Sequence, residues 1–304
     1  MATKAFDTYT EVSQAKGSDV LLIHDGAGVK KIQKKNFMSE IEILMALTNG
    51  TYEGRDLTVV FADEITNYSD EWAWIQARLD AGELSDLFPF DYIPVTALGE
   101  NHIAQIAGID TYYNTGDAGY EVKHHIDWIT KDCLGTTVQW NTTNVNNGNA
   151  TNSSPFLVSN VHSWLVNTVY PTLDAKLKAV IKDKRILAHY RYQSGSTLTD
   201  DNSWGFQYFD KLWLPLEIEI FDCPVFSSKP YGFGQAVQYE IFRNSYRARI
   251  KGAGPGGARA SWWEASAHSG YSAHACFVDG GGYANSYSAS AAFYAPLCFR
   301  TMAA

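Results

Sequence analysis

The segment from residue 260 to residue 296 most constrains what this chain can fold into. It consists mainly of Ala, Ser, Gly and Tyr, with His, Asn and Phe interspersed, two acidic residues and no Lys or Arg. Apolar, strand-like runs frame it, with Trp262-Trp263 at one end and residues 297–300 at the other. These runs are typical of a fixed core, so we expect them to hold a permissive surface between them.

The residue types of this segment are typical of a recognition surface. Tyr offers a large amphipathic contact area at a low cost in rotamer entropy, and Ser, Gly and Asn supply small or adaptable neighbours, as in antibody paratopes. The sequence alone leaves a second interpretation open, in which 260–296 is an ordinary strand-and-loop region without a binding role.

Composition limits the partners of the chain. Its 304 residues carry a formal net charge of −9 without a local stripe of Lys and Arg, so we expect no nucleic-acid partner. The N-terminus lacks an apolar run of signal-peptide length, and uncharged apolar runs elsewhere are too short to span a bilayer. We therefore expect synthesis in a cytoplasm and no membrane insertion.

Motifs for catalysis or metal binding are not evident. The cysteines are scattered without metal-ligand spacing, which favours buried thiols outside disulfides: Cys133, Cys223, Cys276 and Cys298. His124 and His125 are adjacent and would point to opposite faces of a strand. Acidic pairs at 200–201 and at Glu217 and Glu219 are candidates for structural calcium, although solvated carboxylates are commoner. We expect no catalytic residue, no metal site, no cofactor and no enzyme activity.

The first 50 residues are predicted to form a small N-terminal module. Residues 19–32 have the pattern of a hairpin, and a helix with Phe37, Ile41, Leu44 and Met45 on one face should follow and end at Asn49-Gly50. Because such a small unit builds little core, we expect it to pack on another copy of the chain or on a larger particle. The alternative is a simple extension packed on the main domain.

Residues 51–95 are interpreted as a connecting module, with a strand at 57–62 and a helix capped by Ser69, with Trp72, Ile75 and Leu79 on its buried face and Gly82 at its end. From residue 96 to residue 304 the sequence predicts few helices and many short aromatic strands, which is typical of a compact α+β domain. A polar loop at 141–154 precedes a helical region that begins at Ser159, is interrupted at Pro171 and resumes to Ile181. Strands are predicted at 186–192, 212–221, 238–242 and 247–251.

Several runs of the chain together resemble the C-type-lectin-like domains of phages and prophages that are related to formylglycine-generating enzyme. The resemblance covers roughly residues 96–304 and rests on 106–113, 122–128, 140–141, 146–148, 188–192, 211–221, 238–242, 249–252, 261–263, 289–290 and 295–300. Such domains include the variable proteins of diversity-generating retroelements. Residues 19–26 and Lys30-Lys31 more weakly resemble the attachment modules of phage fibre proteins.

The resemblance implies a C-type-lectin-like fold with two helices flanking short antiparallel sheets and a diversified ligand-binding face at 260–296. In those variable proteins, changes at adenines convert Asn codons into codons for the residue types found here. Glu264 and Ala265 depart from the usual Leu-Arg after the Trp pair. The expected ligand-binding residues are Glu264, Ala265, His268, Tyr271, Ala273, His274, Phe277, Asp279, Gly281, Tyr283, Asn285, Ser286, Tyr287, Ser288, Ala291 and Phe293.

The function that the resemblance implies is binding at a virion surface. We expect a receptor-binding protein of a bacteriophage, in a tail or head fibre, that recognises a bacterial cell-surface protein or glycan. Residues 1–50 would attach it to other virion proteins, and a homotrimer would add avidity. Two alternatives stay open, namely a decoration protein without a host ligand and an oxidase of the formylglycine-generating type.

Overall fold

The computed structural model describes residues 20–24, 29–33, 38–114, 122–146, 153–194, 197–228 and 237–304. It shows a mixed α+β protein with a curled, half-barrel antiparallel sheet, several short sheets and few helices, which confirms the α+β class. No helix in these ranges is long and apolar enough to cross a membrane.

The elements of the described chain are short. The strands are β1 (Val20–His24), β2 (Val29–Gln33), β3 (Tyr92–Ala97), β4 (Glu100–Ile109), β5 (His125–Thr130), β6 (Val138–Gln139), β7 (Ile181–Lys182), β8 (Arg185–Ser194), β9 (Thr197–Tyr208), β10 (Lys251–Gly252), β11 (Arg259–Ala260), β12 (Trp262–Ala267), β13 (His274–Val278), β14 (Ala284–Ser288), β15 (Ala292–Phe293) and β16 (Cys298–Met302). The α-helices are α1 (Glu40–Thr48), α2 (Leu57–Val60), α3 (Ala62–Ile65), α4 (Glu71–Ala81), α5 (Asn160–Trp164), α6 (Ala175–Val180), α7 (Glu217–Phe221) and α8 (Glu240–Asn244). Pro155–Val158, Tyr170–Thr172 and Tyr246–Arg249 form 3-10 turns, and Leu165–Val169 forms a π-helical turn.

The largest sheet has the antiparallel order β3-β4-β5-β16-β7. Every residue of β5 and β16 is buried, as expected for central strands covered on both faces. The predicted strand at 297–300 is therefore confirmed, and it is the element that joins the C-terminal segment to the core.

Residues 51–95, interpreted as a connecting module, contribute to the same core. Trp72 on α4 lies 5.4 Å from Trp128 and 5.7 Å from Phe299, measured between ring centroids. The helix confirms its predicted buried face and its end at Gly82, which adopts a left-handed conformation. Its cap is Asp70, one residue later than predicted, because the Asp70 carboxylate accepts hydrogen bonds from two backbone N–H groups.

Several predicted strands are wrong. Residues 57–62 form α2 and the start of α3, with Asp56 as the cap, so packing overrides the strand preference of the Val-rich run. Residues 212–221 end in α7, where the Glu219 carboxylate turns back to accept from the Leu216 N–H at 2.7 Å. The runs at 238–242 and 247–251 contain α8 and a 3-10 turn. The strand at 186–192 is confirmed within β8.

The helical region after Ser159 is confirmed. The Ser159 hydroxyl accepts from the His162 N–H at the start of α5, and α6 resumes the helix after Pro171. Val161, Leu165 and Leu177 lie on its buried side.

The N-terminal prediction is confirmed for the hairpin of β1 and β2 and for α1, which Ser39 and Glu42 cap reciprocally. Ile43 and Leu47 are buried on α1, whereas the face predicted from the helical spacing is turned to solvent, with Ile41, Leu44 and Met45 exposed by 71%, 48% and 61%. Phe37 lies outside the described residues.

Candidate ligand-binding surface

The segment at 260–296 forms a three-stranded antiparallel sheet of β12, β13 and β14, with β14 at its edge. All six residues of β12 are buried, and His274 is the one residue of β13 that is partly accessible. In β14, Asn285 and Tyr287 are exposed and their neighbours are partly buried. The sheet thus passes from the core at β12 to solvent at β14.

Trp263 on β12 anchors this sheet to the core. Its ring centroid lies 4.7 Å from that of Phe293 and 6.1 Å from those of Phe277 and Trp140. Its indole N–H donates to the Val138 carbonyl at 2.8 Å. A fully buried Trp with a satisfied N–H is a rigid anchor, which agrees with the predicted fixed framework.

The sixteen expected ligand-binding residues divide by burial. Glu264, Ala265 and Phe277 are buried, since all of β12 is buried and only His274 of β13 is partly accessible, and the structure places these three under the surface rather than on it. The others are exposed or partly accessible: His268, Tyr271, Ala273, His274, Asp279, Gly281, Tyr283, Asn285, Ser286, Tyr287, Ser288, Ala291 and Phe293. We call these thirteen residues the recognition surface.

Aromatic rings are linked across the recognition surface. The ring centroids of Tyr271 and His274 lie 4.4 Å apart, those of His274 and Tyr287 6.2 Å apart, and those of Tyr287 and Phe293 5.9 Å apart. Tyr271 and Tyr287 are each 54% exposed and Tyr283 is 72% exposed. Large rings held half out of the protein offer both an apolar face and a hydrogen-bonding hydroxyl to a ligand.

Asn146 holds the loop between β12 and β13. Its side-chain amide donates to the carbonyls of His268, Tyr271 and His274 at 3.1, 3.0 and 2.7 Å, and its backbone N–H donates to the Ser272 carbonyl at 2.7 Å. Sequence reasoning noted Asn146 in the resemblance without giving it this role. Its partners are more than 120 residues away along the chain, so no local pattern points to it.

Asp279 holds the turn between β13 and β14. One oxygen of its carboxylate accepts from the backbone N–H groups of Gly281 and Tyr283 at 2.8 and 3.0 Å. Gly282 in this turn has a φ of +86°, a conformation that favours glycine. The two loops of the recognition surface are therefore preorganised, which lowers the entropy that binding would cost.

The residues considered for other chemistry are not gathered on this surface. His124 lies just before β5, contacts Asp110 at 2.7 Å and stacks on Tyr113, while its neighbour His125 is buried on β5, where all residues are buried. Cys276 lies on β13 and Cys298 on β16, in different sheets. Burial raises the pKa of the Cys298 thiol, which lowers its reactivity.

Fold and surface together define a mixed α+β domain that presents a small, aromatic-rich sheet to solvent. The chain belongs to the family described as "Domain of unknown function (DUF6273)", whose model matches residues 122–298, more than half of the chain. The match includes β5, the three-stranded sheet and the first residue of β16. Searches among curated proteins and among solved structures gave no match.

Proposed function

We propose that this protein binds a macromolecular ligand on a bacterial cell surface through the recognition surface, and that it does so as a receptor-binding protein of a virion. The observation that carries the proposal is a set of exposed rings on a framework anchored by the buried Trp263: Tyr271 and Tyr283 lie on two hydrogen-bonded loops, and Tyr287 lies on β14. Tyr-rich, preorganised surfaces of this kind are typical of binding sites for proteins and glycans.

The finer assignment of fold follows the resemblance. A C-type-lectin-like fold of the variable-protein type accounts for a buried Trp pair that begins the recognition segment and for accessible residues of the types that adenine-directed change produces. The mixed α+β architecture and the short antiparallel sheets are compatible with it.

Attachment to other virion proteins and trimer formation belong to the same proposal. The support is the apolar face of α1, where Ile41, Leu44 and Met45 project into solvent and line a shallow groove with Thr48 and Asn49. Apolar side chains at this helical spacing are typical of a face that packs on another helix. A second copy of the chain supplies the same face and is the partner that we assign to it.

The test is binding of the fluorescently labelled chain to a panel of intact bacterial cells. We expect saturable binding to some strains and its loss, by at least tenfold in affinity, when Tyr271, Tyr283 and Tyr287 are replaced by Ala, because hot-spot rings carry most of the binding energy. Tyr68→Ala is the control, since Tyr68 is 42% exposed and lies between α3 and α4.

Two outcomes would overturn the proposal. Absence of binding to every strain would favour the alternative of a decoration protein without a host ligand. Equal binding by the triple variant and the parent would place the ligand site elsewhere on the molecule.

A further inference from the structure

Glu264 is a buried carboxyl group without a hydrogen-bond partner among the described residues. It lies on β12 beneath the recognition surface, it is 0% exposed, and neither of its oxygens meets a donor there. An isolated buried carboxylate is costly, and native proteins pair such groups or bind them to metal ions. We therefore expect the carboxyl group of Glu264 to have a bound ligand.

A second carboxylate faces Glu264. Glu217, the first residue of α7, is also 0% exposed. Its Oε2 accepts from the N–H groups of Val225, Phe226 and Ser227 at 2.9, 3.0 and 2.8 Å and from the Ser227 hydroxyl at 2.7 Å. Its Oε1 accepts only a longer contact from Phe226, at 3.1 Å. The Glu217 carboxylate is thus held rigidly through one oxygen, and the other oxygen is largely available.

Cys276 on β13 completes the group. Its Sγ and one oxygen from each of Glu217 and Glu264 lie within 4.8 Å of one another, and all three residues are buried. Two carboxylate oxygens and a thiolate sulfur suit zinc, which is borderline in softness and accepts both donor types. Calcium and magnesium prefer oxygen donors alone, so the sulfur argues against them.

We propose that Glu217, Glu264 and Cys276 form a binding site for a zinc-class divalent cation beneath the recognition surface. The cation supplies the positive charge that two neighbouring carboxylates otherwise lack. Coordination releases the thiol proton to solvent and leaves the sulfur as thiolate. This inference does not rest on the proposed function, because it depends on buried residues and not on any external ligand.

The site connects three elements that support the recognition surface. Glu217 anchors the loop at 225–227, and the Phe226 carbonyl in that loop accepts from the N–H and the hydroxyl of Ser269 at 2.8 and 2.9 Å. Ser269 belongs to the loop that carries His268 and Tyr271. A cation that joins α7, β12 and β13 thereby fixes the base of this loop.

A competing arrangement places a proton where the cation would be. Burial, and then the negative charge of Glu217, raise the pKa of Glu264 well above its usual value, so a neutral acid group is the alternative occupant. The two arrangements respond oppositely to Glu264→Gln. A neutral isostere removes a metal ligand, but it replaces a protonated acid with little loss.

The experiment uses the full chain, stripped with a chelator and titrated with zinc chloride alone. We expect one zinc ion per chain and a melting temperature that rises with zinc. In Glu264→Gln we expect binding to weaken by more than the roughly 100-fold that loss of a supporting group costs at metal sites, with no rise in melting temperature. Cys223→Ser is the control, because it removes an exposed thiol that is not a member of the cluster.

Cobalt provides a second, spectroscopic readout. Cobalt(II) bound by Cys276 gives a sulfur-to-metal charge-transfer band in the near ultraviolet, and Cys276→Ser is expected to abolish it. The proposal is overturned if the parent chain binds zinc no better than Glu264→Gln, or if cobalt gives no charge-transfer band. The proposal is also overturned if Glu264→Gln is more stable than the parent chain in the presence of zinc, because this result would establish the protonated arrangement.

Discussion

Arg300 on β16 and Asp127 on β5 are directly opposite each other in the sheet and form a two-point ion pair. The Arg300 Nε lies 2.7 Å from one oxygen of the Asp127 carboxylate, and a terminal guanidinium nitrogen lies 2.6 Å from the other. The Tyr239 hydroxyl donates to the same carboxylate at 2.8 Å. The Arg300 side chain lowers the pKa of Asp127 to about 2 despite complete burial, so the pair is ionised at neutral pH.

Removing one member of this pair is expected to be strongly destabilising. Asp127→Asn should lower the free energy of unfolding by about 3–5 kcal/mol, because it leaves the Arg300 charge buried and unpaired. Denaturant unfolding at pH 7 measures the change. Asp183→Asn is the matched control, since Asp183 and Lys211 pair at the surface and should contribute under about 1 kcal/mol. Similar losses in the two variants would contradict the prediction.

The protonation of His125 should make the fold sensitive to mild acid. Burial, and then the positive charge of Arg300, lower the pKa of His125 to about 4. The ring nitrogens already fit the neutral form, since Nε2 accepts from the Tyr112 N–H at 3.1 Å and Nδ1 lies 3.0 Å from the Lys123 carbonyl. Since the unfolded chain takes up the proton near pH 6.5, this stability is present above pH 6.5 and is lost as the pH falls through about 4.

We expect the loss over that window to reach about 3 kcal/mol, and unfolding free energies measured at pH steps across it test this expectation. Burial also lowers the pKa of His102 and His162, so the contribution of His125 is taken as the difference from His125→Gln. If the dependence of the unfolding free energy on pH is the same in His125→Gln as in the parent chain, the assignment to His125 is wrong.

Asn146 is expected to control the order of the loop between β12 and β13. In Asn146→Ala the carbonyls of His268, Tyr271 and His274 lose their shared donor, which should cost about 1–3 kcal/mol. Hydrogen exchange of the Ala289 amide, which donates to the Ala273 carbonyl in this loop, should accelerate. Asn167→Ala, at an exposed amide on the helical region, serves for comparison. Unchanged exchange in Asn146→Ala would show that other contacts order the loop.

The exposed face of α1 should govern self-association. Replacing Ile41 and Met45 by Ser removes apolar area from solvent-facing positions, so the folded protomer should keep its stability within about 0.5 kcal/mol. Sedimentation of parent and variant chains should show an oligomer, trimeric by our proposal, that shifts to monomer in the variant. Ile43→Ser on the buried face would instead unfold the helix. A parent chain that sediments as a monomer would remove α1 as the oligomer contact.

The sequence predicts an element well when the residues that fix it lie close together along the chain. The spacing of Trp72, Ile75 and Leu79 and the stop at Gly82 lie within one helix, and that helix was predicted closely except for its cap, which is Asp70 and not Ser69. The strand predicted at 212–221 failed because Glu219 makes its contacts across the fold. Its carboxylate binds Lys184 at 2.5 Å and the Tyr112 hydroxyl at 2.6 Å, and Tyr112 is 107 residues distant.

Residue types predicted which segment forms the recognition surface, but they did not predict which of its residues are buried. Residue types identified the segment, and thirteen of its sixteen expected members are accessible. Burial of Glu264, Ala265 and Phe277 depends on the order of β12, β13 and β14 in the sheet, which residue types do not encode. The buried group of Glu217, Glu264 and Cys276 was missed for the same reason, since its members are brought together only by folding.

The place of β16 between β5 and β7 has a consequence for biosynthesis. The strands β3, β4 and β5 cannot be joined to β7 until residues 298–302 have left the ribosome and formed β16. Until then β5 has an unpaired edge. The segment that emerges just before β16 is the one rich in Ala, Ser and Gly. It contains one Val and no Leu, Ile or Met, so the nascent chain adds few large aliphatic side chains that would promote aggregation while that edge is open.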